Sequence, residues 1–251
     1  MDASNPIVFY DIASAPPVRP FAPNPRKTRY ALNFKRVHYR TEWVDLPDVA
    51  SVRKKIGAAP VRTHDRDGRP FYTLPIIHDP STGAIVGDSF DIACYLDKTY
   101  PGGPPLFPPS TTAVQAAFNK YVDNFFNPFV ILCVHGMPLN PATAEVSRAD
   151  FCWRAGKERW DELTVVGKER ASVLEKLNAA LGGELAKWYS YSDGPFMEGE
   201  NPLYADFVVG GWLAFMSVTL PAKEWDDIQT WQDGLWGRLH RTLQERYAEV
   251  K

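Results

Sequence analysis

The chain lacks the features that would place it in several functional classes. It has three cysteines, Cys94, Cys133 and Cys152, far apart and without a CxxC pair. So sparse and odd a set argues against a disulfide framework and suits a reducing, cytoplasmic setting. Its five histidines show no ligand spacing, so no metal site is expected. Neither sign of charge dominates: the formal net charge is −2, which gives no reason to expect nucleic acid or an anionic membrane as partner. No window approaches the ~20 apolar residues of a membrane span. Residues 1–14 lack the basic stretch and apolar run of a secretory leader. There is no internal repeat and no low-complexity tract.

What is present is proline and aromatic content: 22 prolines, and 13% Phe, Trp and Tyr, in 251 residues. That length can bury a substantial core and hold one or two domains. Aromatic-lined clefts and ordinary packing would each account for the rings.

The most informative stretch is residues 72–100, YTLPIIHDPSTGAIVGDSFDIACYLDKTY. A β-type run interrupted by Pro75, a turn at residues 79–83, a second run at 84–86 and a helix opened by Asp88-Ser89 follow in order. Pro75 removes a ladder donor, so the neighbouring backbone keeps hydrogen-bonding groups that an extended peptide could use. Asp88 and Ser89 stand where helical N–H groups are free and the dipole is positive, a place that suits a carboxylate. The same residues also suit a plain hairpin whose Asp88 caps its helix, with Asp91 approximating a capping box.

Around that stretch the chain reads as a strand at 7–12, a proline-rich loop at 13–23 and a helix at 25–35. Asn24 serves as its N-cap and Pro25 as its first residue. A strand at 38–44 and a short helix at 47–56 follow. The order is βαβαββα. Residues 63–70 (THDRDGRP) read as a charged, solvated loop. Residues 101–110, with five prolines and two glycines, form a linker. Helices are expected from Thr112, with a capping box to Gln115 and a kink at Pro128, then at 145–160, 168–188, 203–220 and 225–247. Along the first, Val114, Phe118, Tyr121, Val122, Phe125 and Phe129 recur at helical steps.

These motifs and their order resemble the glutathione transferase superfamily. The resemblance implies a thioredoxin-like α/β domain over residues 1–101, a linker at 102–110 and an all-helical domain at 111–251. It implies that glutathione is the cosubstrate, its cysteinyl backbone on Leu74 and Pro75 and its γ-glutamyl end on Asp88 and Ser89. It also implies a homodimer, and a hydrophobic, aromatic small molecule as second ligand. Tyr121, Phe125 and Phe126 are candidate walls for that ligand, although an aromatic stripe of this kind equally makes a core. In residues 199–207, Leu203 stands where the superfamily's helix-start motif has Ser or Thr, while Tyr204-Ala205-Asp206 is retained. Asp206 is therefore expected to be a folding element, its helix capped from Asn201 and Pro202.

Residues 22–35, APNPRKTRYALNFK, are similar to the first helix of the fungal-specific class A, related to bacterial β-aryl etherases. That class has a serine before the first proline; here the residue is Ala22. The thiolate needs a donor, and Pro23 and Pro25 have no N–H. Asn24 is left as the candidate catalytic group, with Tyr10 as a fallback. Two functions follow. One is a transferase that conjugates or cleaves aromatic electrophiles, in the detoxification of wood- or plant-derived compounds. The other is a non-catalytic, glutathione-dependent binding protein, a ligandin.

Overall fold

A computed structural model describes residues 5–251. Its centre is β1 (Ile7–Ile12), an apolar run buried at almost every position. The chain crosses over through α1 (Pro23–Phe34) to β2 (Tyr39–Val44), which pairs parallel to β1. After a 3-10 turn, Leu46–Asp48, and α2 (Val49–Lys55), the chain returns as the hairpin β5 (Ile76–Asp79) and β6 (Ala84–Gly87). The sheet order is β2-β1-β5-β6, with β5 antiparallel to both neighbours. Then α3 (Ser89–Thr99) closes a thioredoxin-like domain. Asp79 pins the hairpin to α3 by accepting from the hydroxyls of Tyr95, at 2.6 Å, and Tyr100.

Two additional strands interrupt the expected order. Arg62–Thr63 (β3) and Pro70–Phe71 (β4) pair as a separate ribbon around the charged stretch that read as a solvated loop. The ribbon is not free in solvent. His64 sits edge-on between Phe71 and Trp153, and Arg66 donates to the Trp153 carbonyl at 2.6 Å.

The second half is helical. In α4 (Thr112–Phe126) the N-cap is Thr111, not Thr112, and its hydroxyl turns back to the Pro108 carbonyl at 2.7 Å. Pro128 ends this helix in a 3-10 turn, Asn127–Leu132, instead of kinking it, because its ring cannot continue the α-helical ladder. Next, α5 (Ala144–Ala155) stops at Gly156, whose φ of 66° is the left-handed conformation that glycine adopts without strain. The expected helix at 168–188 divides into α6 (Gly167–Ala180), a π turn at Leu181–Leu185 containing Gly182 and Gly183, and α7 (Ala186–Tyr189). Finally α8 (Tyr204–Thr219) forms the buried axis, and α9 (Ala222–Tyr247) bends at residues 231–234.

The helix-start motif departs from expectation in a simple way. Leu203, not Asn201, is the N-cap of α8. The fully buried Asp206 carboxylate accepts from the N–H groups of Leu203 at 2.9 Å and Met197 at 3.0 Å, so no hydroxyl is needed. Against α1, Gly211 lets the two helices touch: a Cβ there would lie 2.8 Å from the Pro23 carbonyl oxygen. Among the described residues no helix is long and apolar enough to cross a membrane. Nor does any group of three or more metal-ligating side chains gather there.

Candidate functional site

The strand pairing brings three segments to one end of the sheet. Because β5 runs antiparallel to β1 and β6, its start lies beside the end of β1 and the end of β6. The connection to α1 leaves from the end of β1, and β2 returns parallel to β1, so the N-terminus of α1 lies at that same end. Residues 22–24, 74–75 and 88–89 are therefore neighbours at one edge.

The Leu74–Pro75 peptide is cis. The ladder begins at Ile76, opposite Tyr10 and Gly87, so the Leu74 backbone lies past its last pair. Arg53, from α2, holds this segment. Its guanidinium donates to the carbonyls of Thr73 and Ala59, and it lies against Gly87, where a Cβ would come within 2.8 Å of Nη2. One nearly buried side chain thus joins α2, the proline segment and the end of β6. Sequence reading missed it: VRKK is indistinguishable from a solvated helix face, and only the fold brings Thr73 to it.

Asp88 has φ 77° and ψ 135°, a conformation costly for a residue with a Cβ, by about 1–3 kcal/mol. Its carboxylate caps α3 by accepting from the Phe90 N–H at 2.8 Å. Ser89 is the first helical residue and is buried. The Tyr204 hydroxyl comes down beside it without a hydrogen bond of ordinary geometry. Burial drives the Tyr204 pKa well above the usual phenol value.

At the third segment the helix starts earlier than expected. Ala22 is the N-cap and has no side-chain cap to offer. Asn24 is therefore not the cap but the second helical residue. Its side-chain Oδ1 is buried without a partner, and Pro23 and Pro25 on either side have no N–H. The Arg26 N–H is taken by the Ala22 carbonyl at 3.2 Å. Tyr10 points away, into the crevice between Glu42 and Lys55, so it is no fallback donor. Cys94 is half-buried, and burial with three nearby carboxylates raises its pKa.

Two cations of α1, and Lys35 at its C-cap, are buried with acidic partners. Arg29 meets Asp11 at 2.6 Å, Lys35 meets Asp97 at 2.9 Å, and Lys27 meets Asp123 of α4 at 2.6 Å. Burial lowers the Lys27 pKa, and Asp123 and then Asp88 oppose the shift. Asp123 also accepts from the Trp212 indole at 2.8 Å.

The aromatic stripe of α4 is divided. Phe126 is fully buried and stacks on Trp212, with ring centres 5.4 Å apart, so it lines no open cleft. Phe125 lies edge-on to Phe126, and Tyr121 packs on Trp188 with its hydroxyl 3.1 Å from Glu184. An open cavity lies elsewhere, between α2, the β3–β4 ribbon and α5, with a volume of about 260 Å³. The segment between α4 and α6 that carries α5 is fastened to the first domain. Asp45 accepts from Asn140 at 2.7 Å and Thr143 at 3.0 Å, and the Ala15 N–H donates to Pro138 at 2.7 Å.

Two family models match the chain. One is described as the N-terminal domain of glutathione S-transferase, over residues 21–99, and the other as its C-terminal domain, over residues 112–247. The chain is 40% identical to a glutathione S-transferase of Ceriporiopsis subvermispora solved in complex with glutathione. That match covers 98% of this chain and 99% of the other, with a TM-score of 0.87. Glutathione transferase GSTFuA2 from Phanerochaete chrysosporium is 33% identical over 98% of this chain and 99% of its own, with a TM-score of 0.84. A curated relative, the glutathione S-transferase-like protein ustS of Aspergillus flavus, is 28% identical over 96% of this chain and 91% of its own length.

Proposed function

The chain belongs to the glutathione S-transferase family, and from that premise we propose that it joins glutathione to aromatic electrophiles or uses it to cleave them. The observation that carries this reading is the meeting of Leu74–Pro75, Asp88–Ser89 and the α1 N-terminus at one edge of the sheet. The Leu74 backbone pairs with the cysteinyl unit of glutathione. The free N–H groups at the start of α3, with the Ser89 hydroxyl, take the γ-glutamyl carboxylate. The thiol then faces the first turn of α1. Its proton leaves to solvent, the thiolate attacks an electrophilic carbon, and the leaving group departs with its bonding pair.

With Ala22 at the serine position, the donors to sulfur are the Asn24 backbone N–H, the Asn24 side-chain NH2 and the helix dipole. That is a weaker field than a serine hydroxyl adds, so turnover is slow or confined to reactive substrates. Similarity to the Phanerochaete and Ceriporiopsis transferases supports the fungal-specific class A. On this reading the protein is cytoplasmic, acts as a homodimer and detoxifies wood- or plant-derived phenolics. Ala22 also supports the second reading, a ligandin that holds glutathione and an aromatic compound without turnover.

Retention on glutathione resin, measured alongside turnover of thiol-reactive substrates and a β-aryl ether, separates the readings. Retention with turnover supports the transferase and retention alone the ligandin. Absence of both retention and turnover would overturn both readings. Light scattering at micromolar concentration tests the dimer, which a monomer mass would refute.

A further inference from the structure

Arg53 touches the residue that stands immediately before each of the two candidate glutathione-binding pairs. On one side its Nη1 donates to the carbonyl of Thr73, which precedes Leu74 and Pro75. On the other it lies against Gly87, which precedes Asp88 and Ser89. A Cβ at Gly87 would stand 2.8 Å from Nη2 and 3.3 Å from Nη1. Nη2 donates to the carbonyl of Ala59, in the loop after α2. The side chain is buried, 3% exposed.

The sheet does not make this connection itself. The last pair of the β5–β6 ladder is Ile76 with Gly87. Pro75 has no N–H with which to extend it, so no ladder bond ties Thr73 and Leu74 to Asp88. The guanidinium stands in that gap. Both hydrogen bonds it makes among the described residues go to backbone carbonyls, not to a carboxylate. A planar fork reaches two carbonyls on separate segments at once, which the single ammonium of a lysine does less well.

Gly87 fits the same reading. It lies in β6 and is not among the residues of positive φ, so its backbone does not call for glycine. The three atoms nearest to an added Cβ all belong to the Arg53 guanidinium. That group is tethered by its two carbonyls and cannot move aside without losing them.

We infer that Arg53 is a positioning residue for glutathione. It sets the distance between the segment that pairs with the cysteinyl unit and the helix end that takes the γ-glutamyl carboxylate, and Gly87 leaves it room. A tripeptide that engages both segments binds more tightly when their spacing is fixed beforehand. The inference rests on the proposed glutathione-dependent function, which lays the tripeptide across both segments.

Calorimetry with glutathione tests it. Arg53→Met should weaken binding about tenfold, and Arg53→Lys should not restore it. Gly87→Ala reads the same contact without removing a side chain, and should weaken binding to a similar degree. In the double variant, Gly87→Ala should add no more than about twofold to Arg53→Met, because Met lacks the atoms that the new Cβ would meet. Arg170→Met controls for stability. It breaks a pair with Glu224 at 2.6 Å in the helical domain, so its unfolding midpoint should fall while glutathione affinity stays.

Unchanged affinity in Arg53→Met would overturn the assignment. So would additive losses in the double variant, which would make the two residues independent. Full rescue by lysine would do the same, since charge and not the fork would then be the cause. Equal weakening by Arg170→Met would reduce Arg53 to a contributor to stability. Failure of the proposed function has a different signature: the natural protein itself would not bind glutathione, and the assignment would fall with it.

Discussion

Lys27 and Asp123 stand 96 residues apart and meet at 2.6 Å between the two halves of the molecule, the ammonium wholly buried and the carboxylate 26% exposed. The asymmetry predicts unequal costs. Asp123→Ala leaves a buried cation without its partner, which typically costs about 3–5 kcal/mol. Lys27→Met leaves a carboxylate that keeps Trp212, Asn119 and water, and should cost clearly less. Urea denaturation of the two variants reads the difference. Equal losses would mean that solvent reaches the ammonium after all.

Ser89→Ala should weaken glutathione binding by roughly 1–3 kcal/mol, the worth of a hydrogen bond to a charged group. Its unfolding midpoint should stay near that of the natural protein, because the Asp88 carboxylate, not Ser89, caps α3. Calorimetry that shows unchanged affinity would remove Ser89 from the site.

Asp206 predicts a pH dependence. Burial raises its pKa from 3.8 to about 6, against the opposing hydrogen bonds from the Leu203 and Met197 N–H groups and the nearby Tyr189 hydroxyl. A carboxyl that is more basic in the folded state adds stability that is fully present below its ordinary pKa. That stability is lost as pH rises through about 6. From pH 7 down to pH 5 the natural protein should gain about 1 kcal/mol that Asp206→Asn does not. Equal slopes of stability against pH in the two proteins would refute the shift.

The parts legible in the sequence were those written in neighbouring residues. Pro75 after a β run, Asp88-Ser89 before a helical pattern and the proline-rich linker each carry their signal within a few positions, and the fold follows from their order. The illegible parts are joined through space. Arg53 reaches Thr73 across 20 residues, and Lys27 reaches Asp123 across 96. Neither position differs in type from a solvated lysine or arginine. The α4 stripe shows a related limit. Periodicity gives the face of a helix but not what covers it, so Tyr121, Phe125 and Phe126 read alike although only Phe126 is fully buried. The ribbon at residues 62–71 was hidden because its two strands have two residues each, too few for alternation to register.

The last prediction concerns Ala22. It is the N-cap of α1, with the extended backbone (φ −71°, ψ 140°) that capping residues adopt. Ala22→Ser would put a hydroxyl at the head of the helix, where it has two uses. It can accept from the Asn24 N–H, the one N–H among the first three helical residues, since Pro23 and Pro25 have none. It can also donate to the glutathione sulfur. Capping alone should stabilise the protein without glutathione by about 0.5–2 kcal/mol and leave the thiol unchanged. A donor to the thiolate should lower the bound thiol's pKa. Turnover should then rise by roughly tenfold for each 1.4 kcal/mol of added transition-state stabilisation. Asn24→Ala separates the side chain from the backbone. It keeps the backbone N–H and removes an oxygen that has no partner, so the protein without glutathione should lose little stability. If the amide donates to sulfur, the bound thiol becomes less acidic and turnover falls. Thiolate absorbance of bound glutathione across pH, in both variants, gives the result directly. Should neither variant move it, the thiolate is held by a group other than the Asn24 side chain, and residue 22 lies too far from sulfur to matter.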